Sequence, residues 1–187
     1  ILLTSVVVIF QPELRKMLEQ LGQKKIMASI LPLDSGKEVQ ERFTDKTVNE
    51  LVKACFDMGE VKTGALIVIE QNIRLSEYER TGINVDAVLT SQLLINIFEH
   101  NTPLHDGAVL VRGNRIVAAT CYLPLSDNME LSKQLGTRHR AGVGISEVSD
   151  SLTIIVSEET GLVSVAQDGK LSRGLNSAEL RAALTKA

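Results

Sequence analysis

Pro103-Leu104-His105-Asp106-Gly107-Ala108-Val109-Leu110-Val111-Arg112-Gly113-Asn114-Arg115-Ile116-Val117-Ala118-Ala119-Thr120-Cys121-Tyr122-Leu123 reads as a polar motif, an apolar run, a turn and a second apolar run. Val109-Leu110-Val111 and Ile116 to Leu123 flank Gly113-Asn114, a dipeptide of the kind that closes two-residue hairpins, so the stretch predicts two antiparallel strands. Their continuous apolar character suits strands covered on both faces. Working outward, Leu152–Val156 reads as another strand. A second hairpin pairs Leu162–Gln167 with Lys170-Leu171 across Asp168-Gly169, and a short helix closes the chain at Ser177–Leu184. Upstream, Ala65–Glu70 is a central strand, Thr44-Asp45-Lys46-Thr47 opens a helix running to about Met58, and Ser91–Glu99 has helical spacing. Asp86–Leu89 reads as a short extended piece and Ser76–Gly82 as loop. The expected fold is α/β, a single domain over 1–187 with a central mixed β-sheet flanked by helices.

Residues 1–43 are expected to form an N-terminal strand (Val6–Phe10), a helix entered through Gln11-Pro12-Glu13 and a charged linker (Gly22–Phe43), ahead of a motif-bearing core at 44–187. The first ten residues are too short to span a bilayer and lack a basic leader.

Composition narrows the function. Of 187 residues, 44% are apolar and only 3% aromatic, with no Trp, so the interior must be Val, Ile, Leu and Ala. The net charge of -3 comes without a basic stripe, which argues against a role on long nucleic acid. Cys55 and Cys121 have no metal-ligand or Cys-x-x-Cys spacing and read as buried thiols of a reducing compartment.

Two segments read poorly as scaffold. His105-Asp106-Gly107-Ala108 brings a carboxylate and an imidazole beside a glycine at the entrance to a strand, where α/β ligand crevices lie. Gly136-Thr137-Arg138-His139-Arg140 sits at the mouth of a helix. Basic side chains in a first helical turn oppose the macrodipole at about 0.3–1 kcal/mol each, so their clustering there calls for an anion. Thr137 is expected to cap that helix and to serve as a phosphate donor. Glu158 and Glu159 follow the strand at 152–156, and a strand end beside Asp106 would let a carboxylate there hold a hard divalent cation. Tyr122, in an apolar run, reads by default as core. Glu77, Tyr78 and Arg80 read as ordinary surface.

Through these two motifs the chain resembles the catalytic domain of bacterial diadenylate cyclases, the DAC fold, whose Asp-Gly-Ala and Arg-His-Arg signatures stand here as Asp106-Gly107-Ala108 and Arg138-His139-Arg140. The resemblance extends through Asn101-Thr102-Pro103-Leu104-His105, Gly136-Thr137 and Ser157-Glu158-Glu159-Thr160-Gly161. Gly142, where Ala is expected, is a departure that would loosen the helix slightly. The opening strand and Gln11-Pro12-Glu13-Leu14-Arg15 are similar to the membrane-anchored, CdaA-type branch. That branch implies transmembrane helices ahead of a soluble piece like this one, at the cytoplasmic face of the membrane, with a membrane regulatory protein and a sugar-phosphate mutase as regulators.

The resemblance implies that two ATP molecules are joined into cyclic di-AMP with release of two pyrophosphates, assisted by Mn²⁺, Mg²⁺ or Co²⁺. It implies that Asp106 promotes attack by a ribose 3′-hydroxyl and helps hold the metal, with His105 and Glu159 as further ligands. Thr137, Arg138, His139 and Arg140 would hold phosphates, with Gly136, Ser157 and Glu158 beside them, and Tyr122 and Leu123 would flank the adenine. One motif set and a two-fold symmetric product imply a face-to-face homodimer presenting two ATP. The alternative is a non-catalytic module that senses ATP or a cyclic dinucleotide, although a pure anion sensor has no use for Asp106 near phosphates. A phosphate-ester hydrolase would need more metal ligands than the sequence offers.

Overall fold

In the structure, a computed structural model, residues 44–129, 131–132 and 135–186 are described. The strand and helix expected before residue 44 lie outside them. The elements are α1 (Asp45–Glu60), β1 (Ala65–Glu70), α2 (Ser76–Glu79), β2 (Ile83–Val88), α3 (Ser91–Phe98), β3 (Ala108–Arg112), β4 (Arg115–Cys121), α4 (Thr137–Val148), β5 (Leu152–Val156), β6 (Val163–Gln167), β7 (Lys170–Arg173) and α5 (Ser177–Lys186). The strands form one mixed sheet in the order β2-β4-β3-β1-β5-β6-β7. Glu41–Ala187 is one compact unit and contains all of these elements.

Alternation along the strands builds two cores. Ile67, Ile69, Val109, Ile154 and Val165 face Leu51, Cys55, Phe98 and Leu180 of α1, α3 and α5. Leu66, Val68, Leu110, Ile155 and Ala166 face Ala141, Val143 and Ile145 of α4. Each fully buried Val, Ile or Leu contributes about 1.5–3 kcal/mol, so the sheet is held from both sides. Both hairpins have the expected tips. Gly113 takes φ 53°, and Asp168 and Gly169 take φ 49° and 72°. Asn114, in the first tip, accepts hydrogen bonds through Oδ1 from Thr44 N at 3.0 Å and Thr47 Oγ1 at 2.5 Å, fastening the start of α1 to the hairpin.

The structure corrects three expectations. Ser76–Gly82 is not all loop: Ser76–Glu79 forms a single helical turn, too short to show periodicity in sequence. It is held by the Arg112 guanidinium, which bridges buried Glu70 at 2.6 Å and Glu79 at 2.6 Å. β2 begins earlier than Asp86, at Ile83, because its bulge between Asn84 and Ala87 hides the alternation. Gly142 does not loosen α4. A Cβ there would meet Ile155 Cδ1 and Cγ1 at 2.9 Å and Thr153 Cγ2 at 3.2 Å, so glycine is what lets α4 lie close on the sheet.

Candidate active site at one end of the sheet

β1 runs parallel to β3 and antiparallel to β5, with Ile67 opposite Val109 on one side and Ile154 on the other. The entrance to β3 and the exit from β5 therefore share one end of the sheet, with the start of β1 between them. Two strand spacings put the backbones of β3 and β5 about 10 Å apart there. Asp106 precedes one strand and Ser157-Glu158-Glu159 follows the other.

Gly107 fixes the approach of Asp106. Its φ of 107° is open to glycine, and a Cβ would stand 2.8 Å from Thr120 C and 2.9 Å from Thr120 Cα. Thr120 sits in a bulged stretch of β4 at φ 59°, an outlier for a β-branched residue. The two strained positions are fitted to one another, Asp106 is exposed, and Ala108 is fully buried as the first residue of β3. His105 Nδ1 lies 2.6 Å from the Thr102 carbonyl. That contact sets Nδ1 as the donor and leaves the Nε2 lone pair for a metal or a proton.

A pocket opens at the start of α4. Gly136, Thr137, Arg138 and His139 form one wall, Ser157, Glu158, Glu159 and Thr160 the other, and Arg173 reaches in from β7. Gly136, not Thr137, is the N-cap of α4, and no side chain caps it, because Thr137 is already the first helical residue. The His139 and Arg140 N–H groups donate back to the Gly136 carbonyl at 3.1 and 3.3 Å, and an uncapped helix entrance of this kind favours an anion. Arg138 Nη1 donates to Glu158 Oε2. A Cβ on Gly64, at the entrance to β1, would stand 2.8 Å from Arg138 Nη1 and 2.9 Å from Glu158 Oε2, so this glycine makes room for the pair.

His139 is buried. Burial, then the nearby Arg173 charge, lowers its pKa below the ordinary 6.5 against an opposing pull from Glu159, which favours the neutral ring near neutrality. The acidic loop is pinned to α1: Gly161, at φ 74°, packs so closely on Gly59 that a Cβ would meet Gly59 O at 2.3 Å.

Other expected residues go elsewhere. Arg140 is outside the pocket wall, and its Nη2 donates to the Ser126 carbonyl at 2.7 Å. Tyr122 is not core: β4 ends at Cys121 and the ring beyond it is 68% exposed, with Leu123 half-buried beside it.

Sequence reasoning missed Gly64, Thr160 and Arg173. For Arg173 a signal existed, since a two-residue turn at Asp168-Gly169 carries β7 back until Arg173 pairs with Ser164 at the pocket end. Among the described residues no group of three or more His, Cys, Asp and Glu side chains gathers as a metal cage. The donors fit a hard cation in kind, because such ions take one or two carboxylates and complete their shell with phosphate oxygens and water.

The DAC family model, described as DisA bacterial checkpoint controller nucleotide-binding, matches residues 52–171. The cyclic di-AMP synthase CdaA of Bacillus subtilis is 52% identical over 177 residues, 95% of this chain and 63% of that protein, so the chain spans under two thirds of that relative. A crystal structure of DacA from Staphylococcus aureus, a double mutant, superposes with TM-score 0.75 at 49% identity, over 76% of this chain and 95% of that one. A structure described as a hypothetical membrane spanning protein from Bacillus cereus matches with TM-score 0.68 at 37% identity, over 91% of this chain and 80% of that one. Among the described residues no helix is long and apolar enough to cross a membrane.

Proposed function

We propose, from the premise that the chain belongs to the DAC family of nucleotide-binding domains, that it is a diadenylate cyclase that condenses two ATP into cyclic di-AMP and two pyrophosphates. The observation that carries the reading is the shared sheet end, where Asp106 enters β3 two strands from the exit of β5, whose following residues share a pocket with the basic entrance of α4. On this reading Gly136, Thr137, Arg138 and His139 at the start of α4 hold the triphosphate, while Ser157 and Glu158 line the opposite wall. Asp106 accepts the proton of a ribose 3′-hydroxyl as its oxygen bonds to the α-phosphorus of the other ATP, and the bond to pyrophosphate breaks. Asp106, His105 and Glu159 would hold Mn²⁺, Mg²⁺ or Co²⁺, which when bound neutralises charge on the phosphates. Exposed Tyr122 and neighbouring Leu123 flank the adenine.

One such site per chain makes half of a symmetric product, so the reading includes a face-to-face dimer in which each protomer presents one ATP. Positioning two reactants so lowers the barrier by up to about 7–11 kcal/mol. The reading places the whole protein at the cytoplasmic face of a membrane, and the membrane-spanning description of the Bacillus cereus protein supports its attachment to a membrane.

The test is chromatography of products after incubating the chain with ATP and Mn²⁺, beside Asp106→Asn. Cyclic di-AMP from the parent and none from the variant is the expected result. ATP binding without product, at concentrations where the chain is dimeric, overturns the reading in favour of a nucleotide sensor.

A further inference from the structure

The segment after β4 crosses α4 in a way that neither motif foretells. A Cβ on Gly144 would meet Pro124 O at 2.2 Å and Ser126 N at 2.8 Å, so the chain lies directly on the helix backbone there. Ser126 is fully buried. Its N–H donates to Arg140 O at 3.0 Å, its carbonyl accepts from Arg140 Nη2 at 2.7 Å, and its hydroxyl donates to Glu147 Oε1 at 2.6 Å. Residues 140, 144 and 147 lie on one helical face, four and then three positions apart, so one stripe of α4 carries the strap. At the other end Tyr122 N–H donates to Thr81 Oγ1 at 2.9 Å, and that hydroxyl donates in turn to the Tyr78 carbonyl at 2.6 Å. Between these anchors the Tyr122 ring stands in solvent.

An exposed aromatic on a backbone fastened at both ends is a binding feature with its ordering cost already met. We propose that residues 122–126 form a pre-set strap for the nucleotide base, and that Thr81 and Glu147 are positioning residues acting through Tyr122 and Ser126. This rests on reading Tyr122 as the base contact. It also gives Arg140 a task apart from the phosphates, tying the base strap to the same helix whose first turn faces the triphosphate.

Thr81 and Glu147 are both exposed, so their variants should fold, and melting curves check this. The experiment measures binding of ATP and of inorganic triphosphate to the parent, Thr81→Val and Glu147→Ala, with Thr81→Ser and Glu147→Gln as hydrogen-bonding rescues. Losing one anchor is expected to weaken ATP binding about tenfold, the worth of one to two hydrogen bonds, with triphosphate binding unchanged and the rescues close to the parent. ATP binding equal to the parent's in both Thr81→Val and Glu147→Ala overturns the strap while leaving the cyclase reading standing. Loss of ATP and triphosphate in equal proportion also overturns it, by showing a general disturbance. A parent that binds triphosphate and ATP equally well removes the base contact itself, and the strap proposal with it.

Discussion

Gly64→Ala separates site geometry from stability with a single methyl group. The new Cβ would stand 2.8 Å from Arg138 Nη1, 2.9 Å from Glu158 Oε2 and 3.0 Å from Glu158 Cβ. Ordinary contact begins near 3.5 Å, so the guanidinium and carboxylate must retreat by roughly 0.7 Å. Stability should barely register this. Alanine gains about 0.4–1 kcal/mol over glycine by restricting the unfolded chain. With Arg138 22% and Glu158 54% exposed, the loosened ion pair forfeits no more than about 1 kcal/mol. The terms cancel to within about 1 kcal/mol, so Tm should move by no more than about 4 °C. Turnover is less forgiving, because misplacing a catalytic or binding group by about 1 Å costs on the order of a hundredfold. The expected result is a chain that melts like the parent and forms cyclic di-AMP about tenfold to a hundredfold more slowly. Melting curves and initial rates at limiting ATP measure the two. A variant within about twofold of parental kcat/KM refutes the placement of Arg138 at the substrate.

Gly107→Ala should act oppositely, combining a disfavoured φ with contacts to Thr120 backbone at 2.8 Å, and lose about 2–5 kcal/mol in chemical denaturation along with turnover. His139 makes the fold sensitive to acid: its folded pKa lies below the ordinary 6.5, so between the two values the unfolded chain binds the extra proton and stability falls as pH drops below 6.5. Denaturation midpoints across that range check it, and His139→Gln should flatten this part of the slope. Arg173→Ala should weaken triphosphate binding with little change in Tm, and should bring His139 back towards its ordinary titration in an NMR pH series.

What the sequence disclosed and what it withheld divide along physical lines. Leu66 to Ile69, Val109 to Val111 and Leu152 to Val156 were legible as strands because a strand covered on both faces is a continuous apolar run. Asp106-Gly107 stood out by its setting, since it leads straight into a strand, and Arg138-His139 because basic side chains in a first helical turn oppose the macrodipole. The Ser76–Glu79 turn was not, since one turn has no period and its hold is the Glu79–Arg112 pair, 33 residues apart. Gly64 could not be told from any glycine before a strand until the Arg138–Glu158 pair was seen above it. Tyr122 departs from its default reading as core because residues 122–126 cross α4 beyond the end of β4, leaving the ring outside the sheet, and the same crossing brings the Ser126 carbonyl to the Arg140 guanidinium.

The two irregularities of β4 have a consequence for insertions and deletions. Arg112 pairs with Arg115 and Val111 with Ile116, yet Leu110 pairs with Ala118 and Ala108 with Cys121, so β4 carries two more residues than β3 requires. Each extra residue reverses which way the remainder of the strand points. Losing one codon between Val117 and Thr120 would turn the Cys121 side chain from the core it shares with Leu110 and Ala118 toward the opposite core that holds Ala119, with every motif residue still present. In this chain the length of a strand, as much as the identity of its residues, decides which of the two cores a side chain enters.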